Sequence, residues 1–185
     1  GIKITMTSEL KALLLCAGLG TRLRPLTLNT PKCLMPISGN PLLGIWLKKL
    51  ENSGFNEVLI NTHYLADNVK TYLKKESKNN KIKITTVFEE KLLGTAATLM
   101  ANRNFFQDSI GFLIHGDNLT EFNLSELLKA HLNKKENCLL TMLTFNSNKP
   151  EECGVVETDE DGVLIGFHEK VKNPPSKKAN AAIYV

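Results

Sequence analysis

Four short apolar runs, KALLLCA (11–17), NEVLIN (56–61), KIKITTVF (81–88) and IGFLIH (110–115), alternate with segments whose apolar residues recur every three or four positions. The first two runs read as strands buried on both faces, and the third alternates. NPLLGIWLKKLENSG predicts a helix capped by Asn40, with Pro41 in its first turn, Leu43, Trp46, Leu47 and Leu50 on one face and Gly54 as its stop. LADNVKTYLKKESKNN predicts an amphipathic helix through Leu65, Val69, Tyr72 and Leu73, and GTAATLMANRNFF predicts another. NLSELLKAHLNKK places Leu124, Leu127, Leu128 and Leu132 on one face, with Asn123 and Glu126 spaced as a capping box. From Cys138 the pattern turns to strands and hairpins, with DEDG (159–162) as a turn signal. Alternation of this kind predicts an α/β fold with a mixed, mostly parallel central sheet covered by helices. In such sheets ligands bind beyond the carboxyl ends of the strands, where three polar loops fall: Cys16–Pro25, Glu89–Thr95 and Gly116–Asn118.

At 185 residues, with 42% hydrophobic and 23% charged, the chain is long enough to bury a real core. The net charge of +4 is scattered, which argues against a nucleic-acid partner. No apolar run is long enough to span a bilayer, so no membrane partner is expected. Cys16, Cys33, Cys138 and Cys153 have no C-x-x-C or metal-ligand spacing and read as free thiols of a cytoplasmic protein. Residues 1–5 read as an extraneous leader ahead of a natural start at Met6, with 6–185 forming a single domain.

LCAGLGTRLRPLT (15–27) sets two arginines beside bare glycine backbone, a pairing suited to a multiply charged anion. It is not a P-loop, since G-x-x-x-x-G-K-[ST] is absent. Nor is it the dinucleotide fingerprint: the third glycine position holds Leu23, and the acidic ribose ligand expected about 20 residues on is missing. Gly18 and Gly20 let backbone approach phosphate oxygens, Thr21 adds a hydroxyl, and Arg22 a planar fork of donors. TPKCLMP then holds Lys32 between Pro31 and Pro36.

Together, GLGTRLRPLTLNTPKCLMPISGNP (18–41) resembles the signature of the sugar-1-phosphate nucleotidylyltransferases, with its internal spacings intact. GTAATL resembles their base-recognition segment and GDN their metal-binding turn. ECGVVE, FHEK and NAAIYV resemble three segments lining their sugar-phosphate pocket. The resemblance implies a Rossmann-like three-layer domain joining a nucleoside triphosphate to a sugar 1-phosphate, with release of pyrophosphate. It implies nucleotide contacts from Ala17, Gly18, Gly20, Thr21, Glu89, Gly94 and Thr95, and catalytic cations at Arg22 and Lys32. Asp117 is implied as the Mg²⁺ ligand, and Gly154, Glu169, Lys170 and Asn180 as sugar-phosphate contacts. Arg24 receives no role. A homo-oligomer is compatible with the family.

Members that use uridine or thymidine triphosphate commonly carry glutamine where this chain has Glu89, five residues before Gly94. A carboxylate accepts only, which suits guanine N1–H and N2–H₂ and opposes the uracil oxygens. GTP is therefore favoured, with the mannose-1-phosphate and heptose-1-phosphate guanylyltransferases the nearest in pattern. Uridylyl or thymidylyl transfer is the alternative, and a one-residue slip would exchange Glu89 for Glu90. Ala182 and Val171 stand where many members have glycine and proline. The strand-like end at IYV reads as a chain lacking its C-terminal portion, which in the family carries a second acidic metal ligand; such a chain is expected to bind nucleotide and turn over poorly. Two competing readings are a non-catalytic nucleotide- or sugar-phosphate-binding homologue and a generic dinucleotide-binding domain. Mannose, a heptose, glucose and an amino sugar all fit the same polar residues.

Overall fold

The structure is a computed structural model and describes residues 8–185; the expected leader and the start at Met6 lie outside the described residues. The residues group into two compact units, one running to Leu124 and the other Ser125–Val185.

In the first unit the elements run β1 (Glu9–Leu15), the two-residue strands β2 (Pro36–Ile37) and β3 (Asn40–Pro41), α1 (Leu42–Asn52), β4 (Glu57–Thr62), α2 (Ala66–Glu76), β5 (Lys83–Phe88), α3 (Thr95–Ala101) and β6 (Ser109–His115). The four long strands are parallel in the order β5-β4-β1-β6. Chain connections run outward from β1 through β4 to β5 and then return across β1 to β6. That reversal lies between β1 and β6, where sheets of this kind bind ligands. The register sets Leu15 beside both Asn61 and His115, so the loops leaving these strands start at one level.

Strand and helix apolar faces meet in a core of Leu13, Leu14, Trp46, Leu47, Leu50, Ile60, Phe112 and Ile114, all essentially fully buried. Each such side chain contributes about 1.5–3 kcal/mol relative to exposure. Phe55 packs edge-on to Phe112 with ring centroids 4.8 Å apart.

Several helix boundaries shift from the sequence reading. Pro41, with ψ of 137°, remains extended at the cap position of α1. Asn40 pairs with Ile37 in the β2–β3 hairpin, whose turn residues Ser38 and Gly39 have φ of 48° and 82°. Positive φ at both central positions is the type I′ arrangement that suits a tight hairpin. Leu65 is left-handed (φ 49°) just before α2 and not on its face, which buries Val69 and Leu73. Gly54, at φ 81°, ends the turn after α1 as expected.

α4 (Leu124–Leu132) begins at the close of the first unit. Its Leu124 and Leu127 are buried, whereas Leu132 is exposed. Eight residues of helix turn the side chain roughly 80° away from Leu124, off the expected stripe.

The second unit continues with β7 (Met142–Asn146), β8 (Gly154–Thr158), β9 (Leu164–Glu169) and β10 (Lys178–Tyr184), paired antiparallel. β10 pairs with β7 and β8, and β8 with β9. The DEDG turn forms between β8 and β9, with Asp159 Oδ1 accepting from the amides of Asp161 and Val163. The register of β10 slips between Asn180 and Tyr184, where Ala182 is left-handed at φ 58°. Parallel pairing in one unit and antiparallel pairing in the other is the mixed, mostly helix-flanked α/β class expected from the sequence.

Candidate active site

Apolar β1 ends at Leu15, and Cys16 and Ala17, both buried, lead into the glycine loop. Gly20 has φ of 62°, and a Cβ there would lie 2.9 Å from Thr27 Cγ2 and 3.3 Å from Lys32 Cβ. Only glycine fits this backbone. Its carbonyl accepts from the Leu23 amide and from the buried Thr27 hydroxyl, at 3.0 and 2.6 Å, which folds Thr21–Leu23 into a short 3₁₀ turn. Tyr64 donates its hydroxyl to the carbonyls of Thr27 and Leu28, and Asn68 donates to Asn29, fastening the far side of the loop to α2. Gly18 has open space where a Cβ would stand. Thr21, Arg22 and Arg24 are exposed, and neither arginine enters an ion pair among the described residues.

Lys32 opens a second 3₁₀ turn after Pro31. Its Nζ lies 2.9 Å from Asp117 Oδ2, with the two side chains 31% and 37% exposed. The sequence-predicted cation and metal ligand are thus in direct contact. Half-exposed pairs of this kind contribute at most about 1 kcal/mol to stability, so the contact matters for the charges it gathers.

Asp117 follows β6 through Gly116, whose added Cβ would meet Cys16 Sγ at 2.7 Å and Leu14 Cγ at 3.0 Å. Glycine therefore lets the acidic turn lie against the start of the glycine loop. From the other side, Trp46 Nε1 donates to the Asn118 carbonyl at 2.7 Å and Lys49 Nζ to the Thr120 carbonyl at 3.0 Å, so α1 clamps the turn. A hydrogen bond with Cys33, then burial, push the Cys16 thiol well above its ordinary range, which makes it an inert packing group and not a nucleophile.

The third loop brings Gly94 (φ 85°) to the start of α3, with Thr95 Oγ1 3.5 Å from His115 Nε2. Burial lowers His115 below its ordinary 6.5, opposed in part by Asp117. Glu89 is only 5% exposed. Its Oε1 accepts from Asn61 Nδ2 and Thr98 Oγ1, and its Oε2 from the Leu93 amide. A grip on guanine through both carboxylate oxygens would compete with these three protein donors. Glu90 is exposed.

All the nucleotide-site residues proposed from the sequence fall in the first unit. The structure joins Lys32 to Asp117, packs Lys32 on Gly20, and links Glu89 to the phosphate loop through Asn61. Asn61, Thr98 and His115 receive no site role from the sequence, because each reads as ordinary strand or helix polarity, and Trp46 reads only as part of an apolar helix face. A groove of about 860 Å³ along α1, lined in part by Lys48, Tyr72 and Glu121, includes none of the predicted residues.

Within the second unit, Gly154 and Glu169 are direct cross-strand partners, and Glu169 Oε2 lies 2.8 Å from where a Gly154 Cβ would be. Lys170 is exposed, with φ of 50° and its amide bound to the Cys153 carbonyl. Asn180 is occupied locally: Oδ1 accepts from the Ala182 amide at 2.8 Å and Nδ2 donates to Tyr184 Oη at 2.5 Å, bracketing the bulge.

A glycine-rich loop, a lysine and an acidic turn gathered at the switch point of a parallel sheet define an α/β protein with a candidate site at its strand ends. The nucleotidyl transferase family model matches residues 11–185, and the chain belongs to that family. It is 34% identical over 184 residues to the mannose-1-phosphate guanylyltransferase catalytic subunit beta of Drosophila pseudoobscura pseudoobscura, covering 98% of this chain and 49% of that protein. It is 30% identical over 189 residues to the UTP–glucose-1-phosphate uridylyltransferase of Synechocystis sp., covering 95% of this chain and 48% of that one. Among solved structures, one assigned as a glucose-1-phosphate thymidylyltransferase from Bacillus anthracis, in complex with a sucrose, superposes with a TM-score of 0.84 at 26% identity. That match covers 95% of this chain and 70% of the other. The chain spans about half the length of the curated relatives it matches.

Proposed function

We propose that this chain is the nucleotide-handling part of a sugar-1-phosphate nucleotidyltransferase, with GTP as the favoured donor and mannose 1-phosphate as the first acceptor to test. The observation that carries this reading is the Lys32–Asp117 contact beside Gly20, which gathers a cation suited to phosphate and a carboxylate suited to a metal at one strand edge. Guanylyl transfer is supported by the relatives' names and not by the fold, which the uridylyl- and thymidylyltransferases share.

In the proposed reaction an oxygen of the sugar phosphate attacks the α-phosphorus of the triphosphate. The bond to the β-phosphate oxygen breaks, and pyrophosphate leaves with its electron pair. No protein nucleophile is needed, so the protein's task is positioning and charge neutralisation. The backbone at Ala17, Gly18 and Gly20, with the Thr21 hydroxyl, would cradle the triphosphate. Arg22 would hold the departing phosphates and Lys32 the α-phosphate. Gly94 and Thr95 would border the base, and Glu89 the same segment.

Among the described residues no group of three or more His, Cys, Asp or Glu side chains is placed to hold a metal. A single half-exposed carboxylate fits Mg²⁺, which keeps several waters and shares its shell with substrate phosphates, better than a metal needing a full protein cage. Asp117 would hold the ion, which supplies Lewis-acid neutralisation of phosphate charge when bound. In the second unit Lys170 would meet the sugar's phosphate, Glu169 its hydroxyls, with Gly154 allowing close approach and Asn180 bordering the sugar. A cytoplasmic setting follows from the triphosphate substrate and the four free cysteines, and a homo-oligomer accords with the family.

Pyrophosphate release with GTP and mannose 1-phosphate, on this chain and on one extended at its C-terminus, tests the reading. Release by either supports it. GTP binding with Mg²⁺ but no release by both would leave a non-catalytic binding protein, and NAD binding without triphosphate binding would overturn it.

A further inference from the structure

Asn61, at the end of β4, is buried between two loops of the nucleotide site. Its Oδ1 accepts the Cys16 amide at 2.7 Å, and its Nδ2 donates to Glu89 Oε1 at 3.2 Å. The amide orientation is fixed by its partners, since a backbone N–H only donates and a carboxylate only accepts. Glu89 passes the connection on: Oε1 also takes the Thr98 hydroxyl at 2.5 Å, and Oε2 the Leu93 amide at 3.2 Å. Asn61, Glu89 and Thr98 are each 5% exposed or less. A chain of hydrogen bonds, buried from Cys16 through Asn61 and Glu89 to Thr98 and part-buried at Leu93, therefore runs from the start of the glycine loop to both ends of the Leu93–Thr98 segment.

We propose that Asn61 and Glu89 are positioning residues, a buried link that fixes the phosphate loop and the Leu93–Thr98 turn relative to each other and so sets the affinity for any nucleoside triphosphate without choosing its base. This rests on the proposed nucleotide function for its ligand, although the link itself is a property of the free protein. The physical reason is satisfaction: inside the protein each of these groups is costly unpaired, so one loop cannot shift without breaking a bond held by the other. Direct base reading through both oxygens of Glu89 would instead require Oε1, which already holds two donors, to release one of them.

The polarity of the link can be reversed. In N61D the new carboxylate keeps the bond to Cys16 but faces Glu89 with acceptor against acceptor. In the double variant N61D/E89Q, the amide introduced at position 89 donates to the carboxylate introduced at position 61. The oxygen of that amide still accepts from Leu93, and the Thr98 hydroxyl can reverse its role. T98V cuts the tether to α3 at nearly constant shape. Amide exchange read by mass spectrometry on the free chain, with titrations of GTP and UTP, tests the proposal. N61D should exchange faster in both the Cys16–Gly20 and Leu93–Thr98 segments. It should also lose affinity for both triphosphates by the same factor, on the order of tenfold or more, with the double variant recovering both properties. Should N61D fail to fold by circular dichroism, T98V decides: exchange must rise in the Cys16 segment as well as its own. Loosening confined to the substituted segment would overturn the link, as would a change in the GTP-to-UTP ratio in E89Q. A wild-type chain that binds neither triphosphate would fail the functional reading alone, with the exchange result still deciding the link.

Discussion

Lys32 and Asp117 show why particular residue types are needed at the site. Lysine is a compact charge on a long stem, held here between two prolines, and aspartate is a short acceptor at the end of a strand. D117N keeps the shape but removes the carboxylate; pyrophosphate release should fall by about 10²-fold or more, while GTP binding without Mg²⁺ should not weaken, since Lys32 is freed of its carboxylate partner. K32M should cost a similar factor in kcat, measured on the C-terminally extended chain, because it removes charge from the reacting phosphate. His115 gives a pH signature. Burial holds its folded pKa below 6.5, so below that pH the unfolded chain takes up a proton that the folded chain resists. Stability is therefore insensitive to this group above about pH 6.5. It falls as the pH drops further, until the folded imidazole itself protonates. Urea midpoints between pH 7.5 and 5.5 should show this fall, and H115Q should flatten part of it. His131, also lowered by burial, contributes in the same direction.

Elements explain what the sequence could and could not announce. The four parallel strands and their helices were readable because their apolar periods differ and glycine or proline punctuates them; Gly54 and the DEDG turn fall where expected. The convergence of the three loops was readable for the same reason, since parallel strands send their ends to one edge. Helix starts were less so: a proline at the cap and a left-handed Leu65 depend on tertiary fit, not on local preference. The Asn61–Glu89–Thr98 chain was invisible, because a buried polar residue at a strand end looks in sequence like any solvent-facing one. Two backbone positions carry predictions. G20A would force a Cβ into Thr27 at a left-handed φ, and should lower stability by about 1–3 kcal/mol and loosen triphosphate binding. A182G should act in the opposite direction. Alanine at φ 58° is strained, and glycine there should raise stability by about 0.5–1 kcal/mol, read as a higher denaturation midpoint.

At the scale of the whole molecule, the residues proposed for the triphosphate fall in the first unit and those proposed for the sugar phosphate in the second. Among the described residues no helix is long and apolar enough to cross a membrane. The second unit carries exposed apolar side chains, Leu139 at 89% and Ile165 at 68%. A thermal-shift panel of the four nucleoside triphosphates, with and without Mg²⁺, tests ligand choice on the intact chain. A ligand at 100 times its Kd adds about 2.7 kcal/mol, and GTP with Mg²⁺ is expected to give the largest rise. The lysine–aspartate contact has a further consequence. On the proposed reading each member would be the other's stand-in for a guest: the ammonium would occupy the place of an incoming ion, and the carboxylate that of an incoming phosphate. A lone visitor of either sign would strand one host without its counter-ion, so metal and triphosphate should be admitted together, each taking the partner the other displaces.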